Sequence, residues 1–428
     1  MQIPIAIVDC NGFYAACERS VNMAELHDKP IVVLSNNDGV IIALNREAKA
    51  LGIKNFTPKF QIEHLIKKHN VRFFSANFAL YNDISHKVMN VIRRYSPLVE
   101  VYSIDEAFIR LDGFKRFDTS LYCREILETI EKETNIPVTI GIANTKTLAK
   151  AANRIAKKDL SYKGVLNFLE YDDLSPFLER TPVEDLWGVG RRHSKRLVRY
   201  GVTNAFDFSK LNEKWVKRTM SVVGLRTLKE LKGFPCISMN YKRPNKKMIG
   251  FSRSFGKEIE RYEDMKEAVA FFVSQAAERM RQQKSEANSI GVFITTSFFK
   301  EERYANSYSI NLPVATAFTA ELIHYATEAL LKIFKFGKRY NKAGVVLHDF
   351  TAANTTQLGL FDTENREKLA LATQAMDKIN NKMGTNTIFL ASLGTERAWK
   401  QRSQYLSNGD KERKDTIIKT EGTISFLS

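Results

Sequence analysis

Two adjacent carboxylates, Asp105 and Glu106, lie inside an apolar run at residues 101–108 (VYSIDEAF), and a third, Asp9, ends the apolar run at residues 3–8. A buried carboxylate is costly unless a cation or a hydrogen-bond donor neutralises it. Three acids with no Cys or His at metal-ligand spacing favour a hard cation such as Mg²⁺, which is often shared with substrate phosphates. The pattern therefore predicts metal-dependent phosphoryl or nucleotidyl transfer. The alternative is a hairpin tip with two solvated acids, because neighbouring strand residues point to opposite faces unless the backbone twists.

The length of 428 residues allows two to four domains. No apolar stretch approaches the 18 residues that a membrane helix needs, and the first residues run straight into a predicted strand, unlike a signal peptide. The four cysteines are scattered and form no zinc pattern. We therefore expect a cytoplasmic protein with reduced thiols and no membrane partner.

The net charge of +17 predicts a polyanionic partner. Residues 186–250 hold 16 Lys and Arg against three acids, an excess of +13 that accounts for most of the total. This block contains no amphipathic membrane-type helix, so nucleic acid is the predicted partner.

Strands and helices alternate in the first half of the chain, which predicts an α/β or α+β domain. The predicted strands cover residues 3–8, 31–34, 71–75, 99–111 and 138–142, and the predicted helices start near 13 and cover 43–51, 81–95 and 121–134. A further helix is predicted to begin at the cap residue Asn144. It places four cations on one face: Lys146, Lys150, Arg154 and Lys157. This face could be simply solvated or functional.

Residues 181–233 are predicted to be compact and helical, and residues 186–202 (LWGVGRRHSKRLVRYGV) resemble a helix-hairpin-helix. Its GVG turn would expose backbone amides at a helix start, where phosphate binds without sequence preference. After a basic linker, residues 248–350 predict the order βαββαβ, a separate small α+β domain. The rest, from about residue 351, is predicted to be a polar tail.

Seven segments, in order and across nearly the whole chain, resemble the Y-family of translesion DNA polymerases, and within it the UmuC-like branch associated with SOS mutagenesis and DNA repair. They are VDCNGFYAACE at 8–18, PIVVLSNNDGVIIALNREAKALGIK at 30–54, YSIDEAF at 102–108, GIANTKTLAKAANRIAKK at 141–158, LWGVGRR at 186–192, SRSFG at 252–256 and QLGLFD at 357–362. One departure is Asn11, where many family members carry a further acid, although the UmuC-like branch shares this Asn.

The resemblance implies a multidomain α+β right-hand polymerase that copies damaged templates with low fidelity and no proofreading. Its domains would be a palm at 1–30 and 71–175, fingers at 31–70, a thumb with the helix-hairpin-helix at 176–240, a little finger at 241–350 and a tail at 351–428 that carries a clamp-binding motif.

The resemblance also implies roles for individual residues. Asp9, Asp105 and Glu106 would be catalytic and, with the carbonyl of Cys10, would hold two Mg²⁺ ions, while Tyr14 would be a steric gate against the ribose 2′-hydroxyl. The other implied nucleotide-binding residues are Phe13, Arg46, Lys49 and Lys157, with Lys158 as the neighbouring alternative to Lys157, and Val40 and Ile42 would form the roof over the nascent base pair.

The implied partners are primer-template DNA, deoxynucleoside triphosphates and a sliding clamp, with a UmuD-like dimer and RecA implied by the branch alone. DNA would be gripped at Gly188, Gly190, Arg191, Arg192 and Lys195, and the clamp at Gln357, Leu358, Leu360 and Phe361.

Two other functions are compatible with parts of this pattern. A nucleotidyl cyclase also uses paired acids on a palm-type sheet, but it would leave the helix-hairpin-helix, the basic linker and the clamp peptide without a purpose. A non-catalytic DNA-binding repair scaffold would bind DNA without metal-dependent extension, and the three acids with their nearby cations argue against it.

Overall fold

The computed structural model describes residues 3–112, 118–242, 244–353, 365–384, 386–395, 399 and 401–407. These residues form two compact units. One holds the described residues up to 35, those from 39 to 242 and residues 405–407; the other holds residues 36–38 and the described residues from 244 to 404. None of the helices in these ranges is long and apolar enough to cross a membrane.

The first unit contains a five-stranded sheet, here called the first sheet, with the strand order β5-β6-β1-β7-β8. Strand β1 lies at its centre and runs antiparallel to both β6 and β7. The elements from the N-terminus through this sheet are β1 (Ile5–Cys10), α1 (Phe13–Val21), α2 (Met23–Leu26), β2 (Ile31–Leu34), β3 (Ile41–Leu44), α3 (Arg46–Ala50), α4 (Glu63–His69), β4 (Arg72–Ser75), α5 (Phe78–Tyr95), β5 (Val99–Val101), β6 (Glu106–Arg110), α6 (Thr119–Thr134), β7 (Val138–Ala143), α7 (Lys146–Lys158) and β8 (Val165–Asn167).

Helices cover both faces of the first sheet because its central strands are apolar on both sides. Ala6 and Val8 point into a core shared with α1, α5 and α6. Ile5 and Ile7 point the other way, into a core shared with α7 and the helical segment that follows the sheet. This alternation decides to which side each acid at the end of β1 or β6 points.

A smaller second sheet with the order β3-β2-β4 carries its own core of eight buried residues. Here the sequence-based prediction of a helix over 43–51 is wrong at its start, because Ile41–Leu44 is strand β3, paired with β2. Helix α3 begins only after Asn45, whose side chain caps it by accepting from the Ala48 amide. Ile41 and Leu44 are buried in the sheet, so packing sets the conformation here.

The helical segment after the first sheet is present as predicted. It consists of α8 (Ser175–Glu179), α9 (Arg191–Arg199), α10 (Ala205–Ser209) and α11 (Glu213–Leu231). A buried carboxylate, that of Glu230, connects this helical segment to the start of α7. The Glu230 carboxylate accepts hydrogen bonds from the Thr147 amide and hydroxyl and from the Cys236 and Ile237 amides. Four donors satisfy this fully buried acid, which lies at a helix N-terminus where negative charge is favourable.

The second unit has the predicted βαββαβ order. Its elements are β9 (Met248–Ile259), α12 (Tyr262–Gln282), β10 (Ser285–Thr296), β11 (Ala305–Thr316), α13 (Thr319–Ile333) and β12 (Tyr340–Ala352), and the strands form an antiparallel sheet in the order β11-β10-β12-β9.

The chain beyond this sheet is not only the polar tail that the sequence suggests. Helix α14 (Arg366–Met383) is held against α12 by two hydrogen bonds from Arg281 to Asp377, at 2.7 and 2.8 Å. Farther on, Trp399 is buried against the rings of Phe271 and Phe272. A folded segment therefore covers part of the α12 surface.

Candidate active site

Asp9 and Glu106 face each other at one end of the first sheet. They are directly opposed in the antiparallel pairing of β1 with β6. Asp9 is the next-to-last residue of β1 and Glu106 is the first residue of β6, and their side chains are only 14% and 18% exposed. Both project to the face covered by α7, the same face as Ile7 and Phe108.

Asp105 lies at the same end of the sheet, immediately before β6. Its Oδ1 accepts a hydrogen bond from the Ser103 hydroxyl at 2.6 Å, and its carbonyl accepts from the Cys10 amide at 2.9 Å. Burial, and then the negative charge of Asp105, raise the pKa of the Tyr14 hydroxyl. Within the part of the chain that the structure describes, no three Asp, Glu, His or Cys side chains converge on one point that could hold a metal ion.

Two lysines from α7 neutralise the acids on its face. Lys157 forms an ion pair with Asp9, and the Lys150 ammonium contacts both oxygens of Glu106 at 2.9 Å. Helix α7 can lie this close to the sheet because Gly141 on β7 has no side chain. A Cβ at that position would lie 2.2 Å from the Ala149 carbonyl oxygen.

Burial raises the pKa of Asp9 to about 7, with Lys157 opposing the shift and the nearby Glu106 charge adding to it. Two carboxylates in contact at a partly buried sheet end are stabilised by nearby positive charge, which Lys157 and Lys150 supply in this structure. The available ligands are carboxylate and carbonyl oxygens. That donor set fits a hard divalent cation such as Mg²⁺.

The Cys10 thiol is not available for ionic chemistry. Burial first, and then the charge of Asp9, raise its pKa well above the ordinary value. If Cys10 contributes to the site, it does so through its main chain.

Tyr14 packs against two aromatic rings, a contact that the sequence did not predict. Its ring stacks on Tyr81, with centroids 4.6 Å apart and planes within 17°, and meets the edge of Phe78 at 5.8 Å. Tyr81 donates a 2.6 Å hydrogen bond to Glu18, and both side chains are fully buried. The spacing of Tyr14 and Glu18 on α1 could have indicated a shared face, but nothing local indicated Tyr81.

The remaining nucleotide-site predictions lie in three places. Arg46 and Lys49 are both exposed on α3, Phe13 is buried and could contribute only its main chain, and Val40 and Ile42 are half-buried at or beside β3. Lys157 rather than Lys158 faces the acids. Lys158 pairs instead with Asp185 at 2.9 Å.

The four cations predicted to share one face of α7 do so, but that face is not simply solvated. Lys146 is buried with Glu100, and Arg154 pairs with Asp185. The helix begins one residue later than predicted, because Thr145 rather than Asn144 is the N-cap and accepts from the Leu148 amide.

A cavity of about 150 Å³ opens beside the acids, between α7 and the loop before α9. Its lining includes Asp9, Glu106, Lys150, Lys157, Arg154 and Trp187. The Lys150 ammonium also lies over the Tyr102 and Trp187 rings, at 5.0 and 5.5 Å from their centroids. Asp185, the ion-pair partner of Arg154, also lines the cavity, so a polyanion there would meet three cations, each already paired with one of three carboxylates.

The predicted DNA-binding turn lies at the start of α9. Gly188 has φ of 87°, a backbone conformation that favours glycine, and Gly190 is the residue before the helix. The side chains of Arg191, Arg192 and Lys195 are exposed. The predicted clamp-binding residues Gln357, Leu358, Leu360 and Phe361 lie outside the described residues.

Comparison with known proteins identifies the family. Residues 8–154 match the impB/mucB/samB family, residues 246–360 match the C-terminal domain of that family, and residues 372–417 match a domain of unknown function, DUF4113. The chain is 40% identical to protein UmuC of Salmonella typhimurium over 94% of its own length and 96% of that protein. It is 38% identical to SamB of Salmonella typhimurium over the same shares of both chains, and 28% identical to DNA polymerase IV of Desulfatibacillum aliphaticivorans over 91% and 97%.

Among solved structures, a Y-family DNA polymerase chimera of Dbh and Dpo4 aligns with a TM-score of 0.64 and 20% identity, covering 82% of this chain and 99% of that one. The fold is therefore the α+β fold of Y-family polymerases. With 40% identity to UmuC across almost the entire length, the chain belongs to the impB/mucB/samB family, the UmuC-like branch of the Y-family DNA polymerases.

Proposed function

We propose that this Y-family polymerase extends a primer by nucleotidyl transfer at Asp9, Asp105 and Glu106, and that it does so across damaged template bases. The observation that carries the proposal is the opposed pair Asp9 and Glu106, with Asp105 at the same sheet end and a cation-lined cavity beside it. The non-catalytic alternative gives these costly buried charges no role.

The carboxylates of Asp9, Asp105 and Glu106, with the Cys10 carbonyl, are the groups that would hold Mg²⁺. Two such ions, when bound, lower the pKa of the primer 3′-hydroxyl and stabilise charge on the transferred phosphoryl group. Lys157 is 28% exposed and long, so it can exchange Asp9 for the phosphate oxygens of a nucleotide. Lys150 orients the Glu106 carboxylate by contacting both of its oxygens.

The first sheet with its helices would be the palm, the second sheet the fingers, the helices α8–α11 the thumb, and the βαββαβ unit the little finger. Tyr14 would lie under the incoming sugar, with Phe13 contributing its main chain. Arg46 and Lys49 would meet the triphosphate, and Val40 and Ile42 would cover the nascent base pair. A small fingers core supports weak shape selection and tolerance of damaged bases.

Primer and template would be held through their phosphates by the turn at Gly188 and Gly190 and the exposed cations Arg191, Arg192 and Lys195. Such contacts carry affinity without sequence information and weaken with salt. Deoxynucleoside triphosphates are the substrates, and the place of action is the cytoplasm.

Lesion bypass is tested by primer extension on intact templates and on templates with one abasic site. We expect the full-length protein, with Mg²⁺ and any accessory subunits it requires, to extend past both. The double variant with Asp105→Ala and Glu106→Ala should extend neither while still binding primer-template. DNA binding without extension in the unaltered protein, under the same conditions, would favour the scaffold.

A sliding clamp is the proposed processivity partner, through Gln357, Leu358, Leu360 and Phe361, and a UmuD-like dimer and RecA are further proposed partners. Two adjacent apolar side chains in a polar stretch fit a small hydrophobic pocket on a partner. The variant with Leu360→Ala and Phe361→Ala should lose about tenfold or more in clamp affinity in a pull-down. Undiminished retention of the clamp would remove this assignment.

A further inference from the structure

A residue from the domain of unknown function hydrogen-bonds to the edge of the second sheet. Tyr405 lies within the DUF4113 match, yet it pairs with strand β4, about 330 residues earlier in the chain. The Ser75 amide donates to the Tyr405 carbonyl at 3.0 Å, and the Tyr405 amide donates to the Ser75 hydroxyl at 2.9 Å. Strand β4 is an edge strand, and the Tyr405 carbonyl gives its last residue, Ser75, a backbone partner on that edge.

The Tyr405 side chain makes contacts of three kinds. Its hydroxyl accepts a 2.6 Å hydrogen bond from Lys59, whose ammonium also lies 4.4 Å from the centre of the ring. The ring approaches that of Phe73, with centroids 6.3 Å apart. The ring thereby extends the core of the second sheet, which has eight buried members among the described residues. In so small a core, one added aromatic ring is a large share of the packing.

The contact with Ser75 connects Tyr405 to the aromatic rings that support Tyr14. Ser75 is two residues from Asn77, which caps α5 by accepting from the Leu80 amide at 3.1 Å. The first turn of that helix supplies Phe78 and Tyr81, the two rings that support Tyr14. Displacement of the end of β4 would therefore be passed to the start of α5.

The contact with Lys59 connects Tyr405 to Val40, which is proposed to cover the nascent base pair. The Lys59 amide donates to the Gly39 carbonyl at 3.1 Å, and the preceding Pro58 forms an isolated bridge with Val40. Lys59 is thus tied to the segment that ends in Val40. Tyr405 therefore contacts two segments. One is the end of β4, which precedes the rings beneath Tyr14, and the other is the loop at Lys59, which is bonded to the segment at Val40.

We propose that Tyr405 is a positioning residue for nucleotide selection, and that one role of the DUF4113 segment is to supply it to the fingers. The inference rests on the roles proposed above for Tyr14 and Val40. Tyr405 acts by fixing the end of β4 and the loop at Lys59, and it does not touch the nucleotide itself.

The test compares Tyr405→Ala with Tyr405→Phe, which keeps the ring, and with Leu406→Ala, which removes an exposed neighbour in the same segment. Tyr405→Ala should raise KM for a correct deoxynucleotide about tenfold, change kcat much less, and lower discrimination against ribonucleotides, because small displacements of binding groups are costly in an assembled site. Tyr405→Phe and Leu406→Ala should stay within about threefold of the unaltered protein.

Hydrogen exchange at the Ser75 amide gives a readout that needs no catalysis. Exchange should be about tenfold faster in Tyr405→Ala and unchanged in Leu406→Ala. Faster exchange with an unaltered KM and sugar selectivity would overturn the positioning role, and unaltered exchange would overturn the docking itself. If Tyr14→Ala left sugar selectivity intact, the proposed role of Tyr14 would be wrong. The exchange rate of the Ser75 amide would still report whether Tyr405 binds to the end of β4.

Discussion

Replacing Glu106 with Gln should lower the rate of primer extension by about 10³-fold, while primer-template affinity stays within about twofold. The amide keeps the shape of the side chain and removes the negative charge opposite Asp9. Lys150 would lose its anionic partner, but it also lies over the Tyr102 and Trp187 rings, so the helix α7 packing should survive. Single-turnover extension and DNA binding by fluorescence anisotropy measure the two quantities.

The matched control is Asp172→Asn, which removes an exposed carboxylate in the connection between β8 and α8. It should extend primers at the unaltered rate. An extension rate for Glu106→Gln within tenfold of the unaltered protein would contradict the assignment, provided that thermal melting shows the variant to be folded.

Tyr14→Ala should reduce the preference for deoxynucleotides over ribonucleotides by about 100-fold or more. The ring stacks on Tyr81 and meets the edge of Phe78, and these contacts oppose its movement away from a 2′-hydroxyl. Removing it opens that space, and the loss of a steric contact of this size is of the order that separates closely similar substrates. The ratio of kcat/KM for a matched deoxynucleotide and ribonucleotide gives the preference.

Tyr14→Phe is the control for the sugar experiment, because it keeps the ring and its stacking and removes only the hydroxyl. We expect it to retain the preference of the unaltered protein. An intact preference in Tyr14→Ala would show that another residue excludes the ribose.

The parts of the fold that could be predicted from sequence are those set by local periodicity. The βαββαβ order follows from long segments with a clear helix or strand pattern, and the structure confirms it. Strand β3 was missed because four apolar residues before a helix do not reveal their own conformation. Its pairing with β2 decides it.

Contacts between distant residues account for most of what the sequence could not reveal. The charges of α7 were recognised as one face, but their partners lie elsewhere in the chain, as with Lys146 and Glu100. The aromatic contact of Tyr14 depends on Tyr81 and its buried partner Glu18. Likewise, no local pattern predicts that Tyr405 hydrogen-bonds to the edge of a sheet.

The three acids Asp9, Asp105 and Glu106 show both what the sequence could predict and what it could not. Their residue types and apolar setting predicted one divalent-metal site. The alternation of strand residues also indicated that Asp105 and Glu106 could share that site only where the backbone twists. In the structure, Asp105 accepts from Ser103 while Glu106 contacts Lys150, and among the described residues the three acids do not converge on one point. A shared ligand set would therefore require side-chain rearrangement at the sheet end.

The most direct test is to count Mn²⁺ ions by electron paramagnetic resonance in the complex with primer-template and a non-hydrolysable deoxynucleotide. We expect about two ions per chain for the unaltered protein, and at most the single ion carried by the nucleotide for Glu106→Gln. Two ions bound with equal affinity in both proteins would contradict the proposed metal site.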